Sequence, residues 1–298
     1  MSTSFLIFLL ELIIIGLLLA FLYALMAVGL TLIYGILRTV NFAHGEFYML
    51  GGYSLYYFTT IFNLPSFLGI PIAAGVGFLI AVAVERLVIR DIHVKAVARP
   101  VEYVLLGTFA VSVILQNLAI TVFGPFLQTP KPFLSGVVSI ISFTVPWDRL
   151  IAMTTSIITI TILYLFIKKT WTGKIWMATS QNRFGAQALG VNIEKVSMLS
   201  FGTSGILAAV AGGLLAPVLT VFPTVGVTPL VIGFVIIVIG GLGSIEGSII
   251  GGIIVSLVQA ITSGLISPAY GEVAIWLLLI LFLVFRPSGL RGEMVRTV

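Results

Sequence analysis

Long apolar segments separated by short polar ones make up nearly the whole chain. The stretch Phe5–Leu37 is apolar apart from Glu11 and a few hydroxyls, and it is too short for two spans of about 20 residues each. We therefore predict one long first span, Leu12–Leu37, with Glu11 at its outer end. With the later segments, the pattern predicts an all-α fold of about nine transmembrane helices (eight to ten). The later spans are Phe47–Phe62, Gly69–Ile89, Val101–Phe123, Arg149–Phe166, Ser197–Leu219, Val231–Gly240, Ser248–Ile266 and Val273–Phe285.

Composition supports a membrane protein. The 298 residues are 59% hydrophobic and 8% charged, whereas soluble domains carry roughly 25% charged residues. A chain this poor in charge cannot cover a water-facing surface, and runs of about 20 apolar residues favour helices over the alternating pattern of a barrel. We predict one polytopic integral membrane domain, residues 1–298.

Several kinds of chemistry have no signal in the sequence. Cysteine is absent and the two histidines, His44 and His93, are far apart, so neither a disulfide framework nor a metal site is predicted. Gly173-Lys174 lacks the glycine spacing of a P-loop, and no dinucleotide fingerprint or nucleophile elbow occurs. We predict a protein that is not an enzyme, has no cofactor, and would depend on another subunit for any ATP hydrolysis.

The distribution of Lys and Arg predicts the orientation. With nine spans, thirteen of the fifteen basic residues fall on one side, and only Lys131 and Arg149 fall on the other. The positive-inside rule then places the N-terminus outside and the C-terminus in the cytoplasm of a multi-pass plasma (inner) membrane protein. The net charge of +5 therefore reflects contact with a lipid bilayer and not with nucleic acid. The N-terminus reads as a span and not as a signal peptide, since no basic residue precedes Arg38.

One stretch, residues 29–53, interrupts the apolar pattern with polar side chains at membrane depth. Such groups are costly in a bilayer and mark a pathway, a hinge or an interfacial loop. A tight cytoplasmic turn anchored by Arg38 would account for them, and so would a discontinuous helix near residues 38–47 that lines a substrate path. The candidate residues of the second interpretation are Asn41, Phe42, His44, Gly45 and Glu46.

A second interruption, near residues 240–248, echoes the first. Glu46 and Glu246 are each followed, after four residues, by a pair of glycines. Interrupted segments at matching places point to a transport site, although glycine is common enough here for chance to produce the echo. The candidate residues at this broken or re-entrant segment are Gly241, Gly243, Ser244, Glu246 and Gly247.

The longest polar segment, Thr170–Val196, predicts a short amphipathic helix. Phe184, Ala188 and Val191 fall near one face, and Gly190 has the position of a helix C-cap. Such a helix lies at a membrane interface or docks into a groove on a soluble partner. Elsewhere, Gln116-Asn117 is expected to bond to a neighbouring helix, and the loop Gly124–Asp148 could hold a short surface helix.

Several of these segments resemble the LivH-type permeases of branched-chain amino acid ABC importers. The most specific run is Asn41-Phe42-Ala43-His44-Gly45-Glu46, and the similarity covers nearly the whole chain. Further similar segments are VERLVIRD at 84–91, ILQNLAITVFG at 114–124, AQALGVN at 186–192, GGLGSIEGSIIGG at 240–252 and FRPSGLRG at 285–292.

The resemblance implies partners and a docking site. It implies a LivM-type permease, two ATP-binding subunits, an external (periplasmic or extracellular) substrate-binding protein, and branched-chain or other neutral amino acids as substrates. The segment 170–196 would be the cytoplasmic coupling loop that seats in the ATPases. Phe184-Gly185-Ala186 departs from the family, which often has Glu-Ala-Ala there, so a salt bridge through that carboxylate is not expected. The implied docking residues are Arg183, Phe184, Gln187, Ala188, Leu189, Gly190 and Val191.

Other functions remain open from the sequence. Relatives in the same class carry urea or short amides. A secondary transporter could use His44 and Glu46 as a proton relay in a broken helix, although such a carrier needs no docking loop. A channel-like pore is less well supported, because neither charged rings nor a filter sequence is visible.

Overall fold

The computed structural model describes residues 3–94, 99–140 and 143–291. Lys95 and Arg296, both in the predicted cytoplasmic set, lie outside the described residues. The first helices are α1 (Thr3–Leu37), α2 (His44–Tyr56), α3 (Ser66–Val84), α4 (Arg90–Val94) and α5 (Pro100–Phe123). The remaining helices are α6 (Trp147–Lys169), α7 (Trp171–Gln181), α8 (Arg183–Ala188), α9 (Ile193–Leu215), α10 (Val227–Gly240), α11 (Ile245–Leu265) and α12 (Pro268–Phe285). Two π-helical turns, Tyr57–Ile61 and Glu85–Ile89, extend α2 and α3.

All nine predicted apolar segments are helical, which confirms the polytopic all-α class. Within the described part of the chain, seven helices are long and apolar enough to cross a membrane. The two exceptions are α2, with 13 residues before its π-helical turn, and α10, with 14 residues. Both are short because they begin inside the protein and not at its surface.

The first helix is longer than the sequence predicted. It begins at Thr3 and runs for 35 residues, about 52 Å at 1.5 Å per residue, which exceeds a hydrocarbon core of about 30 Å. Glu11 therefore lies within the helix and not at its outer end. Nothing in residues 3–11 breaks a helix, since neither Pro nor Gly occurs there.

Helix α9 is the centre of the packing and contacts α1, α2 and α3. Its small residues explain this position, as the sequence predicted. A Cβ on Gly205 would lie 2.4 Å from the carbonyl oxygen of Gly77 in α3, and a Cβ on Gly77 equally close to that of Gly205. Only glycine at both positions lets the two backbones approach this closely. A second contact joins α1 to α11, where the Thr31 and Ser248 hydroxyls hydrogen-bond.

Basic side chains cluster where α1, α6 and α10 end, and we call this the basic end of the molecule. Arg38 donates to the carbonyl of Ser180 in α7 at 3.0 Å. Arg90 pairs with Glu194 at 3.0 Å, which joins the start of α4 to the start of α9. The expected loop after the third span thus begins with a short helix, α4.

The opposite end carries a small antiparallel hairpin, β1 (Val137–Ile140) and β2 (Phe143–Pro146), with Val138 opposite Val145. This hairpin replaces the short surface helix that the sequence allowed. The segment is rich in β-branched residues, which favour strands over helices. Asp148 fixes the base of the hairpin by accepting a hydrogen bond from the backbone N–H of Phe133 at 2.7 Å.

Candidate functional site

The first break is a buried, non-helical segment between α1 and α2. Helix α1 ends at Leu37, Arg38 has φ +54°, and α2 starts at His44. Thr39 and Asn41 are 2% and 1% exposed. The His44 ring contacts α1 at Met26, about three turns before α1 ends. The chain therefore turns back into the protein, and α2 begins at depth as one part of a discontinuous helix.

His44 links three helices and is completely buried. Its Nε2 lies 3.2 Å from the carbonyl oxygen of Met26 in α1. Its Nδ1 lies 3.2 Å from the hydroxyl of Ser204 in α9. That hydroxyl also donates a hydrogen bond to the carbonyl oxygen of Gly29 at 2.8 Å.

These three contacts need three protons if each is to be a hydrogen bond. A neutral imidazole and one hydroxyl supply two. With the proton of a neutral ring on Nε2, the Ser204 hydroxyl donates either to Nδ1 or to Gly29. With that proton on Nδ1, the ring donates to Ser204 and Ser204 donates to Gly29, and the contact with the Met26 carbonyl lacks a proton. His44 therefore acts in this conformation as a packing and hydrogen-bonding link, and its ring faces helices and not an open path.

Glu46 lies in the first turn of α2 and faces α5. Its Oε1 accepts hydrogen bonds from Ser112 at 2.9 Å and from Gln116 at 2.8 Å. Its Oε2 is buried and has no hydrogen-bond partner within the described residues. One turn earlier on α5, Thr108 accepts a hydrogen bond from the backbone N–H of Phe42 at 3.2 Å.

The polar stripe on α5 was only partly foreseen. Thr108, Ser112 and Gln116 recur every four residues, so they share one helix face, and that face meets the break. The expected contact of Gln116 with a neighbouring helix is present. Asn117 instead bonds to the Val113 carbonyl of its own helix at 2.8 Å. The four-residue spacing was the signal available in the sequence, but its partner could not be identified there.

Phe42 lies between α5 and α10. Its ring centroid is 6.1 Å from that of Phe109 and 5.6 Å from that of Phe234. Phe109 is 53% exposed, so this aromatic group reaches the surface between the two helices. The break therefore combines a buried carboxylate with an adjacent aromatic surface.

The second break, residues 241–244, is a tight turn between α10 and α11. Gly241 and Gly243 have φ +103° and +87°, and the Ser244 hydroxyl caps α11 by accepting from the Gly247 N–H at 3.0 Å. The predicted interruption near 240–248 is therefore present. Glu246 pairs with Arg291 at 2.9 Å and with Lys168 at 3.5 Å.

The second break packs on the last turn of α1, where an added Cβ on Gly243 would lie 3.6 Å from the Gly35 Cα, but the two candidate carboxylates are far apart. Gly45 packs against Gly226 at the start of α10, where an added Cβ would lie 2.7 Å from the Gly226 carbonyl oxygen. The second break follows the other end of α10, about 21 Å away along a helix of 14 residues. Glu46 is buried at depth, whereas the Glu246 side chain is 43% exposed at the basic end. The two carboxylates thus belong to different environments.

The polar segment 170–196 forms two helices and not one. Asn182 ends α7 and begins α8, because its side chain accepts from the Gly185 N–H at 2.8 Å. Gly190 has φ +86°, and the N–H groups of Gly190 and Val191 bond to the carbonyls of Gln187 and Ala186 at 2.9 and 3.1 Å. This pattern is a Schellman C-cap, so the predicted role of Gly190 is confirmed.

The surface of α8 exposes large apolar side chains among polar ones. Phe184 and Leu189 are 85% and 88% exposed. Arg183 is half-buried beside them, and burial lowers the pKa of its guanidinium. It has no ion pair or hydrogen bond with the residues that the structure describes. Gln187 and Ala188 are exposed and Val191 is partly exposed. The seven predicted docking residues, 183–184 and 187–191, are therefore all at least partly accessible.

Comparison with known proteins identifies the family. Residues 12–283 match the family model described as branched-chain amino acid transport system, permease component. The chain is 30% identical to the high-affinity branched-chain amino acid transport system permease protein LivH of Salmonella typhimurium, and 91% of each chain is covered. It is 28% identical to the corresponding protein BraD of Pseudomonas aeruginosa, over 91% of this chain and 92% of BraD.

The similarity extends beyond bacteria. The chain is 28% identical to the probable branched-chain amino acid transport permease protein LivH of Methanocaldococcus jannaschii, over 91% of this chain and 89% of that protein. No solved structure matches the chain significantly. Because the family model covers the spans, both breaks and the α7–α8 segment, the chain belongs to the family of permease components of branched-chain amino acid transport systems.

Proposed function

We propose that this chain is one of two membrane-spanning subunits of an ATP-driven importer for branched-chain or other neutral amino acids. The second would be a LivM-type permease. Two ATP-binding subunits would supply the energy, and a substrate-binding protein outside the membrane would deliver the amino acid. The N-terminus lies outside and the basic end lies in the cytoplasm, where the ATPases bind.

The exposed apolar face of α8 carries this proposal. Exposing Phe184 and Leu189 does not stabilise the fold of this chain. Exposed apolar patches of this kind mark interaction sites. The helix is short and capped at both ends, by Asn182 and by the Schellman turn at Gly190. Such a helix fits a groove on a soluble partner, with Phe184 and Leu189 as anchors.

Arg183 adds a charge to this docking face. The resemblance implies a carboxylate at the position of Phe184, and this chain has none there, so an ionic contact to the ATPase would need another residue. Arg183 is partly desolvated and lacks an ionic partner among the described residues, so an acidic side chain of the ATPase would stabilise it. The docking face is thus apolar with one cation beside it.

Energy coupling tests the proposal. The complex is reconstituted in liposomes with its partner permease, ATPases and binding protein, and uptake of labelled leucine is followed. Uptake should need internal ATP and should continue when a protonophore collapses the proton gradient, whereas this permease alone should hydrolyse no ATP. Uptake that a protonophore abolishes while ATP stays high would instead support an ion-driven carrier.

A further inference from the structure

An unpaired carboxylate and an aromatic surface meet where α2, α5 and α10 converge. Glu46 is 1% exposed, and its Oε2 has no hydrogen-bond partner within the described residues. A buried polar oxygen without a partner is costly, and an ionisable side chain at membrane depth usually marks a substrate or ion pathway. The free oxygen therefore calls for a hydrogen-bond donor that the described chain does not supply.

The aromatic surface lies one helical turn away. Phe109 follows Thr108 on α5. Ser112, which donates to Glu46, comes four residues after Thr108, about 6 Å along the helix. Phe42, Phe109 and Phe234 form an apolar group, and the Phe42 N–H bonds to Thr108, one turn of α5 before Ser112. A carboxylate acceptor and an apolar surface at this separation are complementary to an ammonium group and an aliphatic side chain on one small molecule.

We propose that Glu46 Oε2 binds the ammonium group of the amino acid as it crosses the membrane, while Phe42, Phe109 and Phe234 receive its aliphatic side chain. This inference rests on the proposed function and adds the residues that recognise the substrate. Ser112 and Gln116 are positioning residues, because they hold the other carboxylate oxygen and aim Oε2.

The carboxylate is covered in this conformation, so binding requires a displacement of α5. That helix packs on α2, on the π-helical turn Glu85–Ile89 and on α4, and much of its surface is exposed. Among the described residues, its polar contacts on this side are the hydrogen bonds to Glu46 of α2 and to Phe42 of the break. At the other end of α5, Phe123 stacks on Tyr53 with ring centroids 4.2 Å apart, so an outward shift of the first half of α5 would open Oε2 to a ligand without disturbing α9 at the centre.

A binding cycle tests this site. The complex of this permease, its partner permease and the ATPases is placed in nanodiscs without binding protein. Equilibrium binding of labelled leucine is compared with that of 4-methylpentanoate, which lacks only the ammonium group. The wild-type complex should prefer leucine about tenfold or more, the range of one charge-assisted hydrogen bond. Glu46→Gln keeps an acceptor for Ser112 and Gln116 and should abolish this preference.

The matched control is Glu102→Gln, the same change at an exposed carboxylate on α5 that pairs with Arg99; the preference should not change. A second variant, Phe109→Ala, truncates a side chain that is already half exposed, so folding is not at risk. It should lower the preference for leucine over alanine about tenfold and leave the ammonium preference intact. If the Glu46→Gln complex does not assemble, the leucine-over-alanine preference of Phe109→Ala tests the site instead.

Three outcomes would overturn the site: no leucine binding by the wild-type complex at millimolar concentration, equal binding of leucine and 4-methylpentanoate, or an unchanged preference in both variants. None of them removes the proposed function, which fails if the complete transporter with its binding protein and ATP imports no amino acid, or if a protonophore abolishes uptake while ATP stays high. The two failures are therefore distinguishable.

Discussion

At the scale of single residues, the first break contains one side chain with a structural role, His44, and one that is proposed to bind a ligand, Glu46. His44 is fully buried and its ring joins α1, α2 and α9 through Met26 and Ser204. Glu46, two residues later, leaves one carboxylate oxygen without a partner. Successive residues near a helix start point in different directions, so one break can hold the core together and still offer a charge to a ligand.

The hydrogen bonds of Ser204 give a prediction about stability. Ser204→Ala removes the hydroxyl that joins α9 to Gly29 of α1, and leaves the buried Nδ1 of His44 without a partner among the described residues. Hydrogen bonds between membrane helices average about 0.6 kcal/mol, and an unsatisfied buried acceptor adds to the loss. We expect a loss of about 1 kcal/mol and a melting temperature in detergent lower by about 2 °C.

The control for that measurement is Ser54→Ala. Its hydroxyl donates at 2.7 Å to the Leu50 carbonyl of the same helix, a carbonyl that also serves the helix itself. This variant should melt within about 1 °C of the wild type. Equal effects of the two substitutions would show that the link through Ser204 contributes nothing particular.

At the scale of elements, α8 is defined by its two caps and not by its length. Six residues are too few for an isolated helix to be stable. The Asn182 side chain and the Schellman turn at Gly190 satisfy backbone groups at both ends. The element is therefore rigid enough to present Phe184 and Leu189 together, and its geometry depends on the left-handed conformation of one glycine.

Gly190→Val should deform this element without touching the membrane core. An added Cβ at Gly190 meets no atom within 4 Å, so the penalty is backbone strain alone, about 1–2 kcal/mol for φ +86°. If α8 docks as proposed, ATPase affinity should fall roughly tenfold. The variant should still insert and pair with its partner permease, and co-purification of the ATPases measures the loss.

Gly75→Val is the matched control, because an added Cβ there also meets nothing within 4 Å and the backbone is not left-handed. Gly136, next to the outer hairpin, would not serve as a control. Its φ of +114° also favours glycine, so a Val there would itself be strained. Full ATPase retention and transport by Gly190→Val would show that α8 is not the docking element, and an interfacial helix would then be the better interpretation.

At the scale of the whole molecule, charge and packing divide the protein into two ends. Arg38, Arg90, Lys168 and Arg291 make their polar contacts at the basic end. The hairpin and Lys131, which bonds to Asn63, lie at the other. The positive-inside rule predicts that the basic end faces the cytoplasm, together with α7, α8 and the second break.

Labelling of single cysteines tests this orientation. The chain contains no native cysteine, so each introduced thiol is the only one. Gln181→Cys, at the exposed end of α7, should resist a membrane-impermeant thiol reagent added to intact cells. Ser139→Cys, exposed on β1, should react. Permeabilised cells provide the control, since both thiols should react there, and the reverse pattern in intact cells would invert the proposed topology.

The sequence by itself determined the features that depend on local physics. Apolar runs predicted every membrane helix, because burial in lipid requires about 20 apolar residues and satisfied backbone groups. Gly190 predicted the end of α8, because a left-handed cap favours glycine. The polar run 41–46 predicted a break, because such residues are costly in a continuous apolar helix.

Tertiary structure alone decided which of these features meet. The sequence placed Glu46 and Glu246 in matching breaks, but Glu46 faces a buried helix contact, whereas Glu246 faces cations at the basic end. The partners of Glu46, Ser112 and Gln116, are 66 and 70 residues away. No periodicity reports such a pairing, because it is set by how α5 packs on α2 and not by the propensity of either segment. The depth at which α2 and α10 begin is likewise a result of packing, since their N-termini meet at Gly45 and Gly226 inside the protein.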